Sequence, residues 1–303
     1  MSLTTLAPAA PAVAAEFQLA ALVEANRPAQ MPLVTRIARA LSPSPALTHL
    51  LVRGSLASGT ADRLSDVDFV VGVKDAALPA FATGLNDLMT VAAGALLPGW
   101  PDSIVTDLGG LGFVFLIPYD GKLQQVDLYL APASAIPVLR RQVTCVAVLD
   151  RAPVPPTDDE WRRAAAFVAE RAARAKTCTE LLIEHLVLAV LLHKRIQRGQ
   201  RFVAYAEWHL MHTATKDLLK AALAPTSRFW GWYQLREEIA LTPIGRACLA
   251  DLDAAVASPA VPSAADVERA LDRVFTLVER ACPHAMDGLS DAITAYRTYR
   301  ELA

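Results

Sequence analysis

Residues 51–73 read LVRGSLASGTADRLSDVDFVVGV. The Leu/Val run predicts a β-strand that stops at Gly54-Ser55; ten residues later DVDFVVGV predicts a second. Residues i and i+2 of a strand share a face, so Asp66 and Asp68 project together while Val67 and Phe69 turn towards the core. Two carboxylates held side by side repel each other unless a cation lies between them. Hard oxygen ligands of this kind suit Mg²⁺, which takes one or two carboxylates together with phosphate oxygens. A third carboxylate, Asp127, stands between Val126 and Leu128 in LQQVDLYL, a run whose strand is able to lie beside the first pair. Three convergent Asp residues make a two-metal site suited to in-line phosphoryl or nucleotidyl transfer. Gly54 lets a triphosphate approach the backbone, and the Ser55 hydroxyl with the amides of the next turn can donate to its oxygens.

Around this stretch the chain divides into three parts. Residues 1–44 contain a charge-free, Ala-rich leader over 1–15 and helical spacing over 15–41, broken near Arg27-Pro28 and Pro32. The A-x-A-like site at Ala12–Ala14 lacks a positive segment before it, so a disordered leader is expected rather than a signal peptide. Residues 45–152 hold the short strand-like runs THLLVRG, DVDFVVGV, SIVTDL, GFVFLIP and LQQVDLYL, with one helix over about 75–93. Gly109-Gly110 and Asp120-Gly121 read as hairpin turns, and the whole predicts a small mixed α/β sheet domain. Residues 153–303 form an all-α helical-bundle domain, opening at Thr157 with Glu160 completing a capping box. Helices are expected over 158–198, 201–223, 228–239, 243–257, 263–281 and 285–302.

The spacing G-S-x(10)-D-x-D with a later strand Asp resembles the DNA polymerase β-type nucleotidyltransferase superfamily. A small catalytic domain followed by a helical one resembles, within it, the antibiotic nucleotidyltransferases that act on aminoglycosides or lincosamides. The likeness rests on residues 51–73 and Asp127, and more loosely on the domain arrangement over 45–300. It implies that Gly54 and Ser55 hold the nucleotide phosphates, that Asp66 and Asp68 bind both Mg²⁺ ions, and that Asp127 is the third metal ligand and a candidate for the base that receives the acceptor proton. The expected reaction moves a nucleoside monophosphate, AMP from ATP or the equivalent from another NTP, onto a hydroxyl of a small molecule. The resemblance also allows a carboxylate of the helical domain as general base, for which Glu180 and Glu184, four apart on one helix face, are the candidates.

Arg53 and Lys74 flank the motif strands as phosphate contacts or solvated charges. His209 and His212 stand three apart without a third ligand at zinc spacing. Phe229, Trp230, Trp232 and Tyr233, with Tyr205 and Trp208 upstream, read as packing between helices or at a homodimer interface, with stacking on a base or a sugar-like acceptor as the alternative. Gly109–Gly112 precedes no helix pattern, which speaks against a phosphate loop. An antitoxin-like regulator acting on a protein expects an R-x(4–6)-H motif; seven residues separate Arg201 from His209 and three separate Arg280 from His284, and neither fits.

The chain has 303 residues, 53% of them hydrophobic, which excludes global disorder. No stretch reaches the roughly 18 apolar residues of a spanning helix. A net charge of −2 speaks against a nucleic-acid substrate. Cys145, Cys178, Cys248 and Cys282 stand 33, 70 and 34 residues apart, with no close pair, as expected of reduced thiols in a cytoplasmic protein. Residues 1–150 carry −3 and residues 151–303 carry +1, so the helical part lacks the acidic excess that a polycationic acceptor favours.

Overall fold

The computed structural model describes residues 27–102, 109–152 and 155–301. The leader, the first part of the 15–41 helix, the SIVTDL strand and Pro153 lie outside the described residues. The motif strands form as their alternation requires: β1 is Leu47–Arg53 and β2 is Val67–Val73. The remaining strands are β3 (Trp100–Pro101), β4 (Leu111–Tyr119), β5 (Lys122–Pro132) and β6 (Cys145–Asp150). They make one sheet in the order β3-β4-β5-β2-β1-β6, in which β2 and β5 run parallel and all other neighbours antiparallel. Asp120 and Gly121, both at positive φ, close the β4–β5 hairpin between Tyr119 and Lys122, the backbone shape for which an Asp-Gly pair is suited.

Helix α1 (Met31–Leu41) carries Pro32 in its first turn, so this proline starts the helix instead of breaking it. Helix α2 is the single turn Gly54–Ser58, and α3 (Leu78–Leu88) continues into a π-helical turn over Met89–Ala93. A short α4 (Ile136–Gln142) precedes β6, a strand with mostly exposed side chains whose burial pattern has no inward alternation to announce it. Among the described residues no strand follows Asp150.

The helical part contains α5 (Asp158–Ala173), α6 (Cys178–Gln197), α7 (Arg201–Leu223), α8 (Leu235–Ile239), α9 (Pro243–Val256), α10 (Ala264–Ala281) and α11 (Ser290–Glu301). The mixed sheet followed by helices is the architecture expected from the sequence. Thr157 and Glu160 form the anticipated capping box at the start of α5. The long helix expected over 158–198 is two helices, because Thr177 and Glu180 form a second capping box that starts α6. The 228–239 helix is reduced to a 3₁₀ turn at Pro225–Trp230 and the short α8, separated by positive-φ Gly231 and Gln234.

Val67, Phe69, Val126 and Leu128 face one core, which Leu33 and Ile37 of α1, Leu85 of α3 and Val168 of α5 complete. On the opposite sheet face Val114 and Leu116, with Trp100, share a second core with α6, α7 and α10. The sheet and the helical part are thus joined through apolar packing. No helix among the described residues is long and apolar enough to cross a membrane.

Candidate active site

Parallel pairing of β2 with β5 sets Asp68 opposite Asp127, on strands that are about 4.8 Å apart. Asp66 precedes β2 by one residue and shares the Asp68 face, since Val67 is fully buried in the core behind it. The three Asp residues singled out in the sequence therefore gather at the amino end of β2. Antiparallel pairing with β1 brings Arg53 opposite Asp68, with Nη2 3.5 Å from Asp68 Oδ1. Gly54 follows at φ +68°; a Cβ there would lie 2.3 Å from Asp68 Oδ2. This is the close backbone approach for which a glycine is needed. The Ser55 hydroxyl is buried and has no hydrogen-bond partner.

The turn that delivers Asp66 is fixed from several sides. The Ser65 hydroxyl donates to Asp62 Oδ1 at 3.0 Å, and the Ser65 carbonyl accepts from Gln30 at 3.0 Å and Gln124 at 2.7 Å. Arg198, which caps the carboxyl end of α6, pairs with Asp62. One turn earlier on α6, Lys194 donates to Asp66 Oδ2 at 2.8 Å and to Gln125 Oε1. The Gln125 amide in turn donates to both oxygens of Asp127, at 2.8 and 3.0 Å.

These contacts split the proton affinities of the carboxylates. Burial pushes Asp127 up to about 8, and the charges of Asp66 and Asp68 add to it. Burial, and then the Asp66 charge, pushes Asp68 up to about 6 against the pull of Arg53. Burial acts on Asp66 in the same direction, but the charge and hydrogen bond of Lys194 outweigh it and hold the group below the ordinary carboxylate range. The cluster thus carries more negative charge than its neighbours neutralise.

Sequence reasoning missed Lys194, Gln125 and Glu207. Glu207 of α7 is buried, is held by Arg195 Nε at 3.0 Å, and keeps Oε2 without a partner. Burial is the main cause of its raised proton affinity, and the Asp66 charge contributes to it. An isolated Glu on an otherwise mixed helix carries no motif, so only the packing of α7 reveals it.

The other candidates lie elsewhere or are otherwise engaged. Glu180 accepts from the Thr177 amide at 2.8 Å in the α6 cap and pairs with Arg174. Glu184 is buried and pairs with Lys176 Nζ at 2.7 Å. Lys74 follows β2 at the end remote from Asp66. His212 packs edge-on against Trp208, with ring centroids 4.6 Å apart, while His209 is exposed. Phe229, Trp230, Trp232, Tyr233 and Tyr205 are exposed instead of packed between helices; Trp208 alone of that group is buried.

A hollow of about 620 Å³ adjoins Gly112 and Tyr129. Tyr129 stands two places along β5 from Asp127, but the hollow runs on to Pro132, Ser134 and Ala135 at the carboxyl end of that strand, and none of Gly54, Ser55, Asp66, Asp68 and Asp127 lines it. Phe113, Val138 and Trp161 also line the hollow, together with Arg171, Arg174 and Lys176.

No protein-family model and no curated protein matches the chain. Among solved structures it is similar to a nucleotidyltransferase-like protein from Exiguobacterium sibiricum 255-15. That similarity has 11% sequence identity and a TM-score of 0.20, over 87% of this chain and 79% of the other.

Proposed function

We propose that this chain is a Mg²⁺-dependent nucleotidyltransferase that moves a nucleoside monophosphate, AMP from ATP, onto a hydroxyl of a small molecule and releases pyrophosphate. The observation that carries the reading is the register of β2 with β5, which gathers Asp66, Asp68 and Asp127 beside the Gly54-Ser55 turn. The donor set fits a hard divalent cation: the oxygens come from carboxylates, and burial with mutual repulsion raises two of them, Asp68 and Asp127. The unpartnered Ser55 hydroxyl supplies a donor for phosphate oxygen in the same place.

Asp66 and Asp68 would hold the metal, with Asp127 as the third ligand. When bound, such ions neutralise charge on the triphosphate and lower the pKa of the acceptor hydroxyl. Gly54 lets the phosphates reach the α2 backbone, and Arg53 offers a cation at the Asp68 edge. Glu207 is, like Glu184, in a buried ion pair, but it keeps Oε2 without a partner and feels the Asp66 charge, which makes it the helical carboxylate proposed to accept the acceptor's proton. The net charge of +1 over residues 151–303 favours an uncharged or anionic hydroxyl compound over a polycationic antibiotic.

The test is pyrophosphate release with Mg²⁺ and each NTP against a panel of aminoglycosides, lincosamides and less charged hydroxylated metabolites. ATP with a weakly charged acceptor is expected to give turnover. D66N and D68N are each expected to lower it by about 10³-fold or more while the fold is retained by circular dichroism. Undiminished release from either variant overturns the assignment.

A further inference from the structure

We propose that Lys194 is the resident counter-ion of the carboxylate cluster, its ammonium occupying Asp66 in the metal-free protein so that a divalent cation binds only by displacing it. The inference rests on reading Asp66, Asp68 and Asp127 as metal ligands. It concerns what holds that site before any metal arrives.

The geometry is specific. The Lys194 side chain is only 10% exposed, with Nζ 2.8 Å from Asp66 Oδ2. A second hydrogen bond runs to Gln125 Oε1, and the Gln125 amide holds both oxygens of Asp127. One ammonium therefore orients two of the three carboxylates, one directly and one through an amide. Among the described residues no three Asp, Glu, His or Cys groups surround a point that a metal ion can take. The carboxylates are gathered on one sheet face by register yet turned towards protein donors.

The other charges nearby are already matched. Arg53 faces Asp68, Arg195 is bound to Glu207, and Arg198 is bound to Asp62. Lys194 is thus the cation committed to Asp66. A lysine ammonium and a divalent ion carry charges of the same sign and compete for one carboxylate in a largely buried site. In this proposal metal entry displaces Lys194 from Asp66 and from the Gln125 carbonyl. Gln125, no longer anchored by Lys194, can then turn, and Asp127 with it. Because Lys194 lies on α6, the site in its self-neutralised form also ties the helical part of the chain to β2.

The experiment measures binding of Mn²⁺ alone, without nucleotide, to the full chain by electron paramagnetic resonance of the free ion. Wild type is compared with K194M, the charge-retaining K194R, and the double variant D66N/K194M. K194M is expected to bind Mn²⁺ at least tenfold more tightly than wild type. K194R is expected to stay within threefold of wild type, and the double variant to lose the gain. Mn²⁺ is also expected to raise the Tm of K194M by more than that of wild type, because the metal replaces the missing ammonium. If K194M does not fold without metal, K194Q is measured in its place. Affinity equal to or weaker than wild type in the charge-removed variant overturns the proposal. Failure of the proposed reaction is read separately: a chain that releases no pyrophosphate with any NTP but shows the tenfold gain refutes the transferase assignment and leaves the counter-ion role standing.

Discussion

Asp127 is the carboxylate that the fold makes hardest to ionise, and this gives the metal-free protein a defined response to pH. Asp68 and Asp127 hold a proton more tightly folded than unfolded, at about 6 and about 8 against an ordinary value of 3.8. Their stabilising effect is therefore complete below the ordinary carboxylate value, and is lost as pH rises through the two raised ones. Thermal melts in the presence of a chelator are expected to show Tm falling from about pH 4 to about pH 8. D127N is expected to remove the upper part of that fall and to be more stable than wild type at the alkaline end, on the order of 1–2 kcal/mol. A Tm that rises over this range contradicts the placement of Asp127 beside two other carboxylates. Gly54 offers a second residue-scale test. A methyl group there meets Asp68 Oδ2 at 2.3 Å on a backbone at φ +68°. G54A is expected to lose about 1–2 kcal/mol in denaturant melts and most of its turnover, since Asp68 has to give way.

At the scale of elements, α6 has two working ends. Its amino end is closed by Thr177 and Glu180, and its carboxyl end delivers Lys194 and Arg198 to the turn before β2. T177A is expected to cost about 1 kcal/mol in chemical denaturation, the usual value of a lost cap. E180Q keeps an acceptor oxygen for the cap and is expected to keep near-wild-type turnover, which a catalytic base does not survive. The sequence presented Glu180 and Glu184 as a carboxylate pair on one face, and that face is real. Their partners, Arg174 and Lys176, sit just before the helix, where no periodicity shows that the chain folds back on its own cap. The motif strands were legible because alternation of Asp with Val and Phe already states which side is buried. β6 was not, because it pairs with β1 through its backbone while its side chains stay mostly exposed.

Across the whole molecule, the sheet and the helices share a core and are therefore expected to unfold together. Trp100 is fully buried and packs with Val114 and Leu116 against α6, α7 and α10. Calorimetry of the full chain is expected to give a single transition. W100A is expected to cost about 3–5 kcal/mol, and to loosen α6 from the sheet so that turnover falls as well. Two separated transitions in wild type contradict the shared core. The same packing brings together residues whose distance in sequence hides them. Cys178 in the first turn of α6 and Cys282 after α10 belong to one core, and the hydrogen bond from Cys282 lowers the Cys178 thiol below its ordinary value. The spacing of the cysteines along the chain gave no sign of that pair.

The amino-acid sequence by itself determined the two carboxylate strands, the glycine turn before them, and the change from strands to helices after residue 150. Each of these is written in local periodicity, cap and turn chemistry, which depend on neighbours a few residues away. Tertiary structure alone decided that Asp127 stands in register with Asp68, that Lys194 reaches Asp66, and that Glu207, not Glu180 or Glu184, is the helical carboxylate whose proton affinity responds to the site. Alternation fixes the face on which a side chain stands. What meets it across that face depends on how distant helices pack, and that information is spread over the whole apolar core.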